Sequence, residues 1–245
     1  MNVLVVYAHP NPDSFTHAIL DQVTKGLDDS PHTYRVNDLY ASGFDPVFTE
    51  RDSLSFLHEG LPEELLREAN LQQVVLDSAR GPLRRYLARR WLRGKGDREI
   101  AKALAAQLPK DVMRQQELVA EADAFIFVAP VFWMAFPAIL KGWFERVFAY
   151  GFAYTLTREG WQGDLEGRVP LLSQEKALII TPTFFTGEEY DKGWREAMDT
   201  VICDWGLKMA GVKQAEHKYF YAVLAADDEQ RRAYLEEAYR LGRDV

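Results

Sequence analysis

The chain has 245 residues, 47% of them hydrophobic and 27% charged, and carries a formal net charge of −8. These fractions exclude a globally disordered or collagen-like chain, and the length suits one well-packed domain, with or without an insertion. The single cysteine, Cys203, excludes an intrachain disulfide or a multi-cysteine metal site and points to a reducing, cytoplasmic setting; no apolar run approaches the roughly 20 residues of a membrane span, and the opening residues read as no signal peptide.

Val3 to Val6 is a continuous aliphatic run, the pattern of a strand buried on both faces of a parallel sheet. Tyr7 to Asp13 reads as a loop rich in turn residues. Ser14 then caps a helix whose apolar positions Phe15, Ile19, Val23 and Leu27 recur every four residues. A short strand over Tyr34 to Val36 follows. Further strands are predicted over Ala124 to Ala129, Ala177 to Thr181 and Tyr219 to Leu224. The intervening helices are placed at Ala138 to Phe148, around Trp194 to Leu207, and at Asp228 to Leu241. Strands alternating with helices imply an α/β fold with a doubly wound parallel sheet.

Residues 50 to 120 break that rhythm and read as a helical insertion punctuated by Pro62, Gly81–Pro82, Gly94, Gly96 and Pro109. Within it, Arg80 to Lys102 holds nine basic residues against Asp97 and Glu99, a local charge of +7 that leaves −15 for the rest. Leu83, Leu87 and Trp91, with Tyr86 beside them, form an apolar stripe in the same stretch. The segment reads either as a solvated amphipathic helix or as an attractor for the phosphates of a nucleotide near a site mouth. The acidic balance elsewhere argues against nucleic-acid binding.

Ligands of open parallel sheets bind outside the carboxyl ends of the strands. Three loops leave such ends: Ala8 to Ser14, Pro130 to Phe136, and Pro182 to Tyr190. The first enters a helix N-terminus, where free N–H groups favour a phosphate, with Ser14, Thr16 and His9 as added donors; the plainer reading makes Ser14 only a cap. The second, PVFWMAFP, offers a flat apolar wall suited to a planar ring, or simply a piece of core. No G-x-G-x-x-G follows the first strand and no G-x-x-x-x-G-K-[ST] occurs, so a dinucleotide held in the Rossmann manner is disfavoured.

The segment PAILKGWFERVF (137–148), followed by GFAYT (151–155), resembles the NAD(P)H:quinone oxidoreductases of the DT-diaphorase type, flavoenzymes on the flavodoxin-like fold. YAHPNPDSFTHAI (7–19) resembles their first phosphate loop and Asp38-Leu39-Tyr40-Ala41 their DLY segment; the likeness covers residues 1–48 and 117–225. It implies a five-stranded flavodoxin-like sheet and a bound flavin, FAD with FMN as the alternative, reduced by NAD(P)H. The flavin phosphates would lie at His9, Ser14, Phe15 and Thr16, and the ring against Pro130, Val131, Phe132, Trp133 and Met134. The family's TTGG loop reads TPTFFTG here, so Thr181 and Thr183 match approximately and the paired glycines are missing. Tyr190 falls near the active-site tyrosine, and Glu196 is the nearest position to the histidine that accompanies it. Phe152 and Tyr154 match residues that wall the substrate pocket across a homodimer interface.

The implied chemistry is two-electron, ping-pong hydride transfer from NAD(P)H through the flavin to a quinone or similar flat aromatic acceptor, with Tyr190 and Tyr154 as the catalytic candidates. The rival reading is a regulatory flavoprotein subunit whose nucleotide occupancy controls a partner. Cys203 is expected to be a structural thiol, and His17, His32, His58 and His217 are scattered residues without metal-ligand spacing. No metal site and no transmembrane segment are expected.

Overall fold

In the computed structural model, which describes residues 1–57 and 61–245, the aliphatic run at the N-terminus forms β1 (Asn2–Tyr7). It lies inside a five-stranded parallel sheet with β2 (Thr33–Asp38), β3 (Ala124–Val128), β6 (Lys176–Pro182) and β7 (Gln214–Phe220), in the order β2-β1-β3-β6-β7. Two further strands, β4 (Tyr154–Leu156) and β5 (Arg168–Pro170), pair antiparallel as a separate hairpin. The register runs Val5 to Ile126 and Ile126 to Leu178, so the carboxyl ends of β1, β3 and β6 lie side by side.

Side chains alternate across a pleat, and both faces of this sheet are covered. Leu4, Val6, Phe125, Phe127, Ala177 and Ile179 face one core, closed by α6 (Lys110–Glu121) and α7 (Ala138–Val147). Val3, Val5, Tyr7, Ile126, Val128, Leu178 and Ile180 face the other, under α1 (Phe15–Asp28) and α11 (Asp228–Arg243). Helices on both faces make the fold doubly wound, as the strand–helix alternation predicts.

Between β2 and α6 the chain forms a 3₁₀ turn (Asp52–Leu57) and helices α2 (Glu63–Glu68), α3 (Leu71–Ser78), α4 (Pro82–Leu92) and α5 (Asp97–Ala105). They share a small core of Leu61, Leu66, Leu71, Leu92, Ile100 and Ala101, against which packs Trp161 of α8 (Arg158–Trp161). Arg146, near the end of α7, ties these pieces to the sheet. Its buried guanidinium meets Asp52 at 2.8 Å and Asp111 at 2.6 Å, and donates to the Asp45 carbonyl at 2.6 Å. A second buried polar link joins β2, α6 and α7: Gln115 Oε1 accepts from Asn37 at 2.6 Å and from the Trp143 indole at 2.7 Å.

The last strand departs from the sequence expectation. It runs over Gln214–Phe220, and the residues after it turn away, with Ala222 at φ 50°. Edge position explains the difference, because Glu216, His217 and Lys218 are tolerated there while hiding the apolar signature that Tyr219 to Leu224 carries. The predicted helix over Trp194 to Leu207 is also two pieces, α10 (Trp194–Asp199) and a π-helical turn over Thr200–Leu207. The β4–β5 hairpin has no counterpart in the sequence reading.

Candidate active site at the carboxyl edge of the sheet

The loops that follow β1, β3 and β6 are brought together by the strand order itself. Ala8 N–H donates to the Val128 carbonyl and Ala129 N–H to that of Ile180, which locks the three strand ends in register. The His9 ring lies 5.9 Å from that of Phe132, joining the first loop to the second. The Trp194 indole N–H donates to the Met134 carbonyl at 3.2 Å, joining the second loop to the chain that follows β6.

The first loop ends at Ser14, an extended residue (φ −78°, ψ 157°) whose Oγ accepts from His17 N–H at 3.1 Å. Helix capping is therefore real, and it leaves the Phe15 and Thr16 N–H groups without acceptors among the described residues. His9 Nδ1 lies 3.1 Å from both the N–H and the carbonyl oxygen of Asn11, which holds the ring over the loop. The loop thus combines two free backbone donors, an imidazole and a helix N-terminus. Thr16 itself is buried, which leaves its backbone N–H as its group at the helix terminus.

The second loop is a tight turn. Phe132 and Ala135 exchange backbone hydrogen bonds, and the two residues between them both take positive φ, 43° at Trp133 and 72° at Met134. This is the backbone of a type I′ turn, which normally selects glycine or asparagine. A tryptophan and a methionine held there cost about 1–2 kcal/mol each. The turn leaves Trp133 96% exposed, with Phe132 and Met134 also exposed, and the Trp133 and Met134 N–H groups make no hydrogen bond among the described residues. Two unpaired donors beside a solvent-facing aromatic edge suit the rim of a planar ring system. Pro130 and Val131 continue the same wall; Val131 packs against Tyr190 and Tyr219.

The third loop contains a short helix, α9 (Gly187–Tyr190). Its threonines do not serve as expected. Thr181 is fully buried with its hydroxyl 2.9 Å from His217 Nε2, and the buried Thr183 hydroxyl donates to the Phe185 carbonyl at 2.9 Å. The hydroxyl of Thr181 faces the sheet interior, against His217. The backbone groups at the loop tip, Phe184 to Gly187, lack backbone acceptors among the described residues and are better placed as donors.

Tyr190 also departs from expectation. It is 1% exposed and its ring stacks flat against Trp194, 4.6 Å between centroids, so it braces the indole that holds the Met134 carbonyl. Burial and the nearby Tyr221 push its hydroxyl up to about 12, so it stays protonated. Tyr154 sits on the β4–β5 hairpin, apart from the three loops, with the Arg168 guanidinium 4.5 Å over its ring; burial raises its pKa despite that cation. Glu196 is exposed on α10. Trp194 is the residue that sequence reading missed; its only signal was an aromatic at the start of a helix facing the third loop.

Behind the third loop lies a buried polar cluster that was also missed. His217 Nδ1 lies 3.0 Å from Asp199, whose other contact is the Tyr219 hydroxyl at 2.7 Å, and Cys203 lies alongside. Burial lowers the His217 pKa despite the partly opposing Asp199, and it pushes the Cys203 thiol up to about 12. Cys203 is therefore the inert structural thiol that its sequence context suggests. His217 is no ordinary surface residue. His58 lies outside the described residues.

The strand order and the helices on both faces define an open α/β protein of flavodoxin-like topology, with a candidate ligand site at the carboxyl edge. The family model for the flavodoxin-like fold matches residues 1–241. The human ribosyldihydronicotinamide dehydrogenase (quinone) is 32% identical over 233 residues, which span 94% of this chain and 85% of that one. The NAD(P)H dehydrogenase (quinone) 1 of Cavia porcellus is 32% identical over 170 residues, 69% of this chain, and the match spans 51% of that protein. Among solved structures, the NAD(P)H:quinone oxidoreductase from Methanothermobacter marburgensis superposes with a TM-score of 0.69 at 30% identity, covering 100% of this chain and 98% of that one. The chain belongs to the flavodoxin-like family, in its branch of NAD(P)H:quinone oxidoreductases. Among the described residues, no helix is long and apolar enough to cross a membrane.

Proposed function

We propose that this protein is a flavin-dependent oxidoreductase that carries a hydride from NAD(P)H to quinones or similar flat aromatic acceptors. The observation that carries the reading is the pairing of the α1 N-terminus with the strained aromatic turn at Trp133–Met134, one built for phosphate and the other for a planar ring. A flavin fits these residues. Phe15 and Thr16 N–H groups, the α1 dipole and the His9 ring would hold its phosphates, while the Trp133 and Met134 N–H groups would meet the polar edge of its ring. When bound, the flavin supplies the hydride-accepting and hydride-donating chemistry.

The chain's own contribution is positioning and charge stabilisation. Trp133, Phe132 and Met134 would wall the place where donor and acceptor bind in turn, and the free backbone donors of the turn would favour negative charge on a ring bound there. Trp194 holds the turn through the Met134 carbonyl, and Tyr190 supports Trp194 from below. The relatives are named as enzymes, which favours catalysis over an ancillary role. FAD is the proposed form, with FMN as the alternative. Tyr154 and Phe152 would act from a second copy in a homodimer. Support for that arrangement is an apolar groove of about 250 Å³ lined by Phe136, Phe144, Phe148, Val201, Ile202 and Arg168, beside the same hairpin.

Steady-state kinetics with NADPH and a simple benzoquinone test the proposal. Parallel double-reciprocal lines at varied quinone are expected, since donor and acceptor share one slot. Converging lines, or no turnover by flavin-loaded protein, would contradict it.

A further inference from the structure

Helix α4 is almost free of the body that carries it. Nine of its eleven residues are exposed; Ala88 is half-buried and only Leu92 reaches the small helical core. At about 100° per residue, Leu83, Tyr86, Leu87 and Trp91 fall on the side opposite Leu92. Their exposures are 69%, 58%, 52% and 38%. Arg90 lies in the middle of this stripe, and Arg84, Arg89 and Arg93 lie along its margins. None of these four arginines makes an ion pair or hydrogen bond among the described residues. From Arg80 to Gly96 there are seven basic residues and no acidic one, in a chain of net charge −8. Among the described residues, Lys95 is the member of the run that finds a carboxylate, Glu99, and its ammonium also lies 5.3 Å over the Trp91 ring.

We propose that α4 is a docking helix for an anionic phospholipid surface. A helix exposed at nine of its eleven residues offers a convex face more than a cradle for a peptide, and a nucleic acid would neutralise the arginines while leaving two leucines in water. A lipid interface satisfies both sets at once. Leucine, tyrosine and tryptophan settle at the boundary between headgroups and acyl chains, and unpaired guanidiniums meet lipid phosphates. The +7 over Arg80 to Lys102 would be drawn to such a surface while the rest of the chain, at −15, would be repelled by it, which favours docking through this segment. Gly81 (φ 89°) and Gly94 (φ 77°) bracket the helix with turns that present it clear of its neighbours. The proposal does not depend on the redox reading, although an apolar quinone dissolved in the same bilayer would be within reach of a docked enzyme.

The test is co-sedimentation of the full chain with vesicles of phosphatidylcholine alone and of phosphatidylcholine with about one-third phosphatidylglycerol. Binding is expected only to the anionic vesicles and should weaken with added salt. The double variant Leu83→Ser/Leu87→Ser should bind at least about tenfold more weakly, and so should Arg84→Gln/Arg89→Gln/Arg90→Gln. These side chains are exposed, so both variants should keep the melting temperature and the NADPH–quinone activity of the parent in the absence of vesicles. Failure to bind anionic vesicles at low ionic strength would overturn the proposal. So would binding that ignores the leucine change and is matched by a DNA duplex, which would mean general polyanion attraction. Concentration-dependent self-association abolished by the leucine variant, without vesicle binding, would assign the face to a second copy instead.

Discussion

Trp133 and Met134 spend conformational energy to present themselves to solvent, an arrangement that natural sequences keep where a ligand needs it. Met134→Gly should therefore relieve strain and stabilise the folded protein by about 1 kcal/mol while weakening flavin or acceptor binding. Thermal melts of the flavin-free protein and equilibrium flavin titration read the two effects separately; loss of stability in this variant would contradict the strain argument. Trp194→Phe removes the indole donor to the Met134 carbonyl and should raise the KM for the acceptor more than it changes the melting temperature. His217 makes a prediction in pH. Its ordinary pKa of 6.5 is lowered by burial, so the unfolded chain takes up a proton that the folded one resists. Its contribution is complete above about pH 6.5 and declines as pH falls toward the lowered folded value. Urea midpoints between pH 7.5 and 5.5 should fall more steeply for the parent than for a non-titrating His217→Gln variant measured against its own value at pH 7.5; equal slopes would contradict the assignment.

At the scale of elements, the central strands are legible because burial on both faces leaves a continuous apolar run within β1, β3 and β6. Helix α1 announced itself through Ser14 and its four-residue apolar spacing. Edge strand β7 did not, since polar residues are permitted there, and the three-residue strands of the β4–β5 hairpin are too short for any period to register. The motif PAILKGWFERVF carried the family likeness, and the structure gives two of its residues a reason. A Cβ at Gly142 would stand 2.2 Å from the Pro46 carbonyl oxygen, so glycine is needed for the close approach of that loop. Arg146 is the buried hub between α7, the Asp52 turn and α6. Asp52→Ala leaves that guanidinium short of a partner and should cost about 3–5 kcal/mol, visible as a lowered denaturation midpoint. A change under about 1 kcal/mol would show that the link is dispensable.

Across the whole molecule, the sequence located the candidate site more reliably than it assigned the side chains within it. Strand order follows from alternation, and the three loops then meet by topology. The unpaired backbone donors, the internal use of Thr181 and the buried support role of Tyr190 depend on three-dimensional packing that no linear pattern carries. The charge asymmetry shows the same division: a +7 segment is plain in the sequence, but only the fold reveals that its apolar stripe is left uncovered.

The central claim is that the carboxyl edge of this sheet holds a flavin that NAD(P)H reduces. It is tested most directly by recording the visible spectrum of the protein purified without added cofactor, or after incubation with FAD or FMN, and then adding NADPH without oxygen. Flavin absorption should bleach on addition and return when a benzoquinone is supplied. A protein that stays colourless and takes up neither flavin would contradict it, leaving the fold in place and the function without its chemistry.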